Sequence, residues 1–171
     1  MATKLELEAA TWKRRQINPS LSVEEARQPE HGSVISKWLA DSNRFKLRYP
    51  GETNPHAFTR QHFDAAQKFH ELHSRWLSAI DAKQQRSSSD FSGTGGHDGR
   101  DPFCVELARR HARAEAEFKE ARRAVLESGP LGMMAIETIV IENQPADSLR
   151  GDLRTALNRL CILWRLTAEA T

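Results

Sequence analysis

Apolar residues recur along this chain at three- and four-residue steps, the spacing that lines one face of an α-helix. Phe63, Ala66, Phe69, Leu72, Trp76 and Ile80 predict a helix running from a cap at Thr59 to about Lys83. A second run, Phe103, Leu107, His111, Ala114, Phe118, Ala121 and Val125, forms a narrow, nearly heptad seam. Asp101-Pro102 suits its start, because aspartate accepts from free N–H groups and proline loses nothing at the first helical position. Gly129-Pro130 predicts its end. From Leu131 to about Glu142 the chain is apolar on most sides, with Met133, Met134, Ile136, Ile139, Val140 and Ile141, which implies deep burial or a partner surface. After Asn143-Gln144-Pro145, Asp147 or Ser148 can cap a last helix whose stripe is Leu149, Leu153, Leu157, Leu160 and Trp164. The short connection makes these two helices a close hairpin.

The pattern is weaker elsewhere. Lys4 to Arg15 are good helix formers with a poor apolar stripe, Leu5, Leu7 and Trp12, so a marginal helix or an arm is expected. Ser22-Val23-Glu24-Glu25 has capping-box spacing, but Pro29 leaves room for only about two turns. Val34, Trp38 and Leu39 predict a short helix over Ser33 to Ala40. Asp41 to Pro55 reads as a loop, with a short extended pair around Phe45 to Tyr49, since Pro50-Gly51 and Asn54-Pro55 favour turns. Residues 86–100 hold three consecutive serines and four of the nine glycines, a composition that buries too little to offset ordering, and predict a flexible connector. The expected fold is all-α: a helical bundle with long central helices, a C-terminal helical hairpin and a loop-rich N-terminal part. It divides into an N-terminal arm with a short helix over residues 1–30 and a helical domain over residues 31–166, interrupted at 86–100.

Length and composition narrow this little further. A chain of 171 residues supports one core without disulfides or metals, and a formal charge of +2 does not by itself imply nucleic acid. Cys104 and Cys161 each lie inside an apolar helical pattern and read as reduced packing residues. Residues 1–16 alternate charged and apolar positions, unlike a secretory signal, and no apolar run approaches the ~20 residues that span a bilayer. A cytoplasmic protein with no membrane partner is expected.

Candidate chemistry is sparse. His70 and His73 stand one helical turn apart, without a His-Glu-x-x-His arrangement or an obvious third ligand, and read as a polar helix edge. Gly93 to Gly99 lacks the Gly-Lys-Ser/Thr of a phosphate loop, and neighbouring His97 and Asp98 in a loop are not held for proton transfer. No serine or cysteine sits in a nucleophile motif, so no enzymatic activity, cofactor or metal is expected. The last helix differs: Arg150, Arg154, Asn158 and Arg159, with Arg165, accompany one acid, Asp152, before Glu169. Guanidinium engages phosphates or guanine edges and carboxamide engages adenine, so these four residues are the candidate contacts to double-stranded DNA. The bland alternative is a solvated helix face. Arg109, Arg110, Arg113, Arg122 and Arg123 are interleaved with glutamates and predict a salt-bridged surface instead.

Four landmarks occur in order: Gly32-Ser33 with Trp38-Leu39, Gln61-His62-Phe63-Asp64-Ala65-Ala66, Leu126-Glu127-Ser128-Gly129-Pro130-Leu131, and Ala156-Leu157-Asn158-Arg159-Leu160. In this order the chain resembles a helical domain of alphaproteobacterial, phage-derived regulatory proteins, from which it differs by a shorter segment before Ala156. The resemblance implies prophage or gene-transfer-agent surroundings and transcriptional control, and supplies no catalytic residues. The expected function is therefore a phage-related, DNA-associated or transcription-regulatory role. The alternative is a non-enzymatic helical interaction or assembly module, with Met133 to Ile141 docking a protein partner or a second copy in a homo-oligomer.

Overall fold

The computed structural model describes residues 4–17, 22–27, 32–89 and 102–166, and every regular element among them is helical. In chain order these are α1 (Lys4–Ile17), α2 (Val23–Arg27), α3 (Val34–Arg48), α4 (Arg60–Ser89), α5 (Pro102–Leu126), α6 (Gly132–Ala135), which passes directly into a π-helical segment (Ile136–Ile141), and α7 (Arg150–Trp164) after a 3₁₀ turn (Asp147–Leu149). No helix among the described residues is long and apolar enough to cross a membrane.

The core sits where α4, α5 and α7 meet. Leu153, Ala156, Leu157 and Leu160 of α7 are fully buried, packed with Phe63, Phe69 and Leu72 of α4 and Phe118, Ala121 and Val125 of α5 in one cluster. These are the stripes that the three- and four-residue spacing predicts. Trp76 stacks on Phe118 with ring centroids 4.4 Å apart, and Phe69 and His73 approach the same ring at 5.7 and 5.6 Å. Phe118 is thus enclosed by three rings, an arrangement that adds to its area burial.

Several boundaries differ from the sequence-based expectation. The helix expected to stop at Ala40 continues to Arg48, so neither the loop from Asp41 nor the extended pair at Phe45 to Tyr49 forms. Nothing in Asp41 to Arg48 breaks a helix, and the polar Ser42 is buried with its hydroxyl donating to Trp38 O at 2.7 Å and accepting from Phe58 N at 2.9 Å. Only at Gly51, with φ +95°, does the chain turn. Residues 86–89 belong to α4 rather than to the expected connector, whose remainder, 90–100 with His97 and Asp98, lies outside the described residues. The Asp101 cap also lies outside them.

The apolar helix after Gly129 is not a uniform α-helix. Glu142 N donates to Glu137 O, five residues back, so the backbone widens by one residue per turn over Ile136–Ile141. Ile136 and Ile139 are buried in the core, which leaves Met134 as the exposed large apolar side chain of Met133 to Ile141. The apolar run packs in part against the protein's own α3, α4 and α7, with Met133, Val140 and Ile141 half-buried. Asn143, at φ 55°, closes the segment, and its amide bridges to the start of α3: Oδ1 accepts from Val34 N and Nδ2 donates to Gly32 O, both at 2.9 Å. Neither Asp147 nor Ser148 caps α7, whose N-cap position is Leu149, with no side-chain bond.

Removing the enclosed Phe118 ring should leave a cavity that its rigid neighbours cannot fill. Phe118→Ala is expected to cost about 3–5 kcal/mol in urea melts, and a loss below about 1 kcal/mol would place the ring outside the core.

Candidate nucleic-acid interface

With Leu153, Ala156, Leu157 and Leu160 turned inward, the polar residues of α7 fall on two neighbouring flanks. Thr155, Arg159 and Ile162 face solvent. Arg150 and Arg154 are half-buried beside the N-terminal end of α4, and Asn158 is exposed along the same edge. The four candidate residues do not therefore share one outer face.

Arg150 is a packing residue as much as a charged one. Its guanidinium lies over the rings of Trp38 at 5.0 Å and Phe58 at 5.6 Å, and Nη2 makes a long contact of 3.5 Å to His56 O. Its buried Nε has no hydrogen-bond partner. Cation–π attraction of about 0.5–2 kcal/mol per ring offsets that unmade bond.

Asn158 is fixed by a histidine that sequence reasoning did not assign to the site. Thr59 N donates to His62 Nδ1 at 3.1 Å, while His62 N approaches Thr59 Oγ1 at 3.4 Å. This is a reciprocal capping box in which histidine stands where glutamate or glutamine is usual. Because Nδ1 accepts, the neutral ring carries its proton on Nε2, and Nε2 donates to Asn158 Oδ1 at 2.8 Å. That bond in turn sets the carboxamide orientation, leaving the Asn158 NH₂ outward with one Oδ1 lone pair unused. The Thr59-x-x-His62 spacing carried this signal in the sequence. Burial lowers the His62 pKa below 6.5 and the Arg154 guanidinium lowers it further, against the opposing bond to Asn158.

Neighbouring contacts tie the same edge together. Gln61 Nε2 donates to Leu166 O at 3.0 Å, and Cys161 Sγ donates to Gln61 O at 3.5 Å. Burial raises the Cys161 thiol above its ordinary pKa and the Asp64 carboxylate adds to this, consistent with a packing role. Arg165 ends α7 in the left-handed conformation at φ 52°, with Leu166 N closing onto Cys161 O.

Several arginines elsewhere are neutralised locally. On α5, Arg110 pairs with Glu106 at 3.2 Å, Arg113 with Glu117 at 2.7 Å, and Arg123 with Glu127 at 4.0 Å, as the interleaving predicts. Arg154 and Arg159 make no ion pair among the described residues. His70 is exposed, whereas His73 packs on Trp76 and Phe118, and no group of three metal-ligating side chains forms among the described residues. No family model, curated protein or solved structure matches this chain.

A histidine whose folded pKa is depressed takes up its proton more readily in the unfolded chain. Its contribution to stability is therefore full above about pH 6.5 and is lost as pH falls through that value toward the folded pKa. His62→Gln keeps a capping side chain without the titration, so it should flatten part of the stability loss between about pH 8 and about pH 5. Thermal melts with identical pH slopes for both proteins would contradict the buried neutral imidazole.

Proposed function

We propose that this is a DNA-associated protein, of the phage- or prophage-related regulatory kind, that meets double-stranded DNA with the exposed side of α7. The observation that carries the reading is the contrast between helices. Three of the five arginines of α5, Arg110, Arg113 and Arg123, pair with glutamates one turn away, whereas neither Arg154 nor Arg159 has a carboxylate partner among the described residues and α7 carries one acid, Asp152. A guanidinium that has no internal partner is available to a phosphate at no cost in broken ion pairs. Asn158 between them is held by His62 with donors outward, the pre-organisation that base-edge contacts need. Arg150 serves this reading by anchoring α7 to Trp38 and Phe58 rather than by reaching DNA. The phage-related and transcriptional setting draws on the resemblance of Gln61 to Ala66, Leu126 to Leu131 and Ala156 to Leu160 described above.

A second reading, a helical assembly module, draws on a different observation: Leu126, Leu131 and Met134 stay exposed around the turn from α5 to α6. It predicts self-association that is insensitive to salt.

The first reading is tested by anisotropy of labelled duplex DNA from about 50 to about 200 mM salt. Wild-type binding should weaken steeply with salt. Arg154→Ala with Arg159→Ala should weaken it at every salt concentration and lower the log–log slope by about two, roughly one per lost phosphate contact, with helicity kept. No wild-type binding at the lowest salt, or an unchanged slope in the double variant, would refute the assignment.

A further inference from the structure

Both ring nitrogens of His62 are committed, and in opposite senses. Nδ1 accepts from Thr59 N at 3.1 Å at the start of α4, and Nε2 donates to Asn158 Oδ1 on α7 at 2.8 Å. The residue is only 6% exposed, and its ring packs edge-on to Phe58 with centroids 5.6 Å apart. A ring held in this way meets its partners in one form, the neutral one with its proton on Nε2. Arg154 of α7 is the charged group that faces it, while Arg60 and Asp64, its neighbours on α4, bind each other at 3.0 Å and Arg150 lies over the Phe58 ring. Burial first, and then the Arg154 guanidinium, favour the neutral ring against the opposing bond to Asn158.

A proton from solvent can bind only at Nδ1, because Nε2 already carries one. It takes the lone pair that Thr59 N–H uses, so two donors then face each other 3.1 Å apart and the cap bond is lost. Nδ1 and Nε2 belong to one rigid ring, and a ring that leaves Thr59 takes Nε2 away from Asn158. Asn158 cannot follow, since Ala156 and Leu157 beside it are fully buried in the core. We propose that His62 is an acid-sensitive latch on the DNA-facing edge: protonation at Nδ1 opens the α4 cap and frees the Asn158 carboxamide, ending its part in reading a base edge. The latch rests on the reading of α7 as the DNA-facing helix. Arg154 and Arg159 make no bond to the ring, so acid removes base reading and leaves phosphate attraction, to which the charged ring itself adds.

The test uses the full chain, isotope-labelled, and a duplex that the wild-type protein selects from a random pool at about pH 7.5, where the ring is neutral. In spectra of the free protein from about pH 8 to about pH 4.5, the Thr59 amide, the His62 ring and the Asn158 NH₂ should shift with one shared midpoint, below pH 6.5, ahead of global unfolding. In His62→Gln, whose amide offers one acceptor and one donor without titrating, that shared shift should vanish. Above the midpoint, Asn158→Ala should weaken binding to the selected duplex by about fivefold or more, the low end for one base-edge contact, and below it the two proteins should bind within about twofold of each other. Comparing the pair at each pH cancels the charge gained by other histidines. Separate midpoints, no shift before the whole spectrum collapses, or an Asn158→Ala effect equal on both sides of the midpoint would overturn the latch and leave the DNA reading standing. Absence of wild-type binding, or a pool that yields no sequence, would instead refute the base contact on which the latch acts. The wild-type titration and the Asn158→Ala comparison decide the matter if His62→Gln fails to fold.

Discussion

The burial of one leucine stripe between two long helices holds the rest of this structure in place. Leu153, Leu157 and Leu160 are fully buried between α4 and α5, with Ala121 and Ala156 letting the backbones approach. Each fully buried leucine contributes about 1.5–3 kcal/mol relative to exposure, so rotating α7 about its axis would forfeit most of the core. Once that rotation is set, every other position on α7 is set with it. Arg150 must meet the aromatic pair of α3 and the α4 approach, Asn158 must meet His62, and Arg159 must face water.

Stripes of this kind are legible in a sequence because the period of the helix is local information. Residues 60–83 and 102–126 and the leucine positions of α7 follow from spacing alone, and Gly129, at φ +136°, ends α5 where glycine followed by proline predicts. Features that depend on a distant partner were not legible. Ser42 sustains α3 because Phe58 N, sixteen residues later, donates to its hydroxyl. Arg150 looks like a free cation in sequence and is instead spread over two rings contributed by other elements. The π turn at Ile136–Ile141 has no sequence mark beyond a β-branched apolar run, which an ordinary helix or a strand also shows.

Electrostatic arrangement separates the helices that the core brings together. α5 carries Arg110, Arg113 and Arg123 in i,i+4 pairs with glutamate, each worth about 0.3–0.5 kcal/mol on an exposed face, and so offsets part of its positive charge locally. α7 has no such partners for Arg154 and Arg159 among the described residues, and its tether from His62 fixes an amide rather than neutralising a cation. On the far side of α4, Ile35, Phe63, Ile139 and Val140 line a cavity of about 460 Å³. The two regions share α4 as a common support, with His62 turned to one and Phe63 to the other.

The reading of α7 as the DNA-facing element makes a claim about location that chemical-shift mapping addresses directly. Duplex DNA titrated into isotope-labelled protein should perturb amide and guanidinium signals from Arg154 to Arg159, together with the Asn158 side-chain NH₂, and leave the paired Arg110, Arg113 and Arg123 of α5 unmoved. Perturbations concentrated on α5, or none anywhere at low salt, would contradict it.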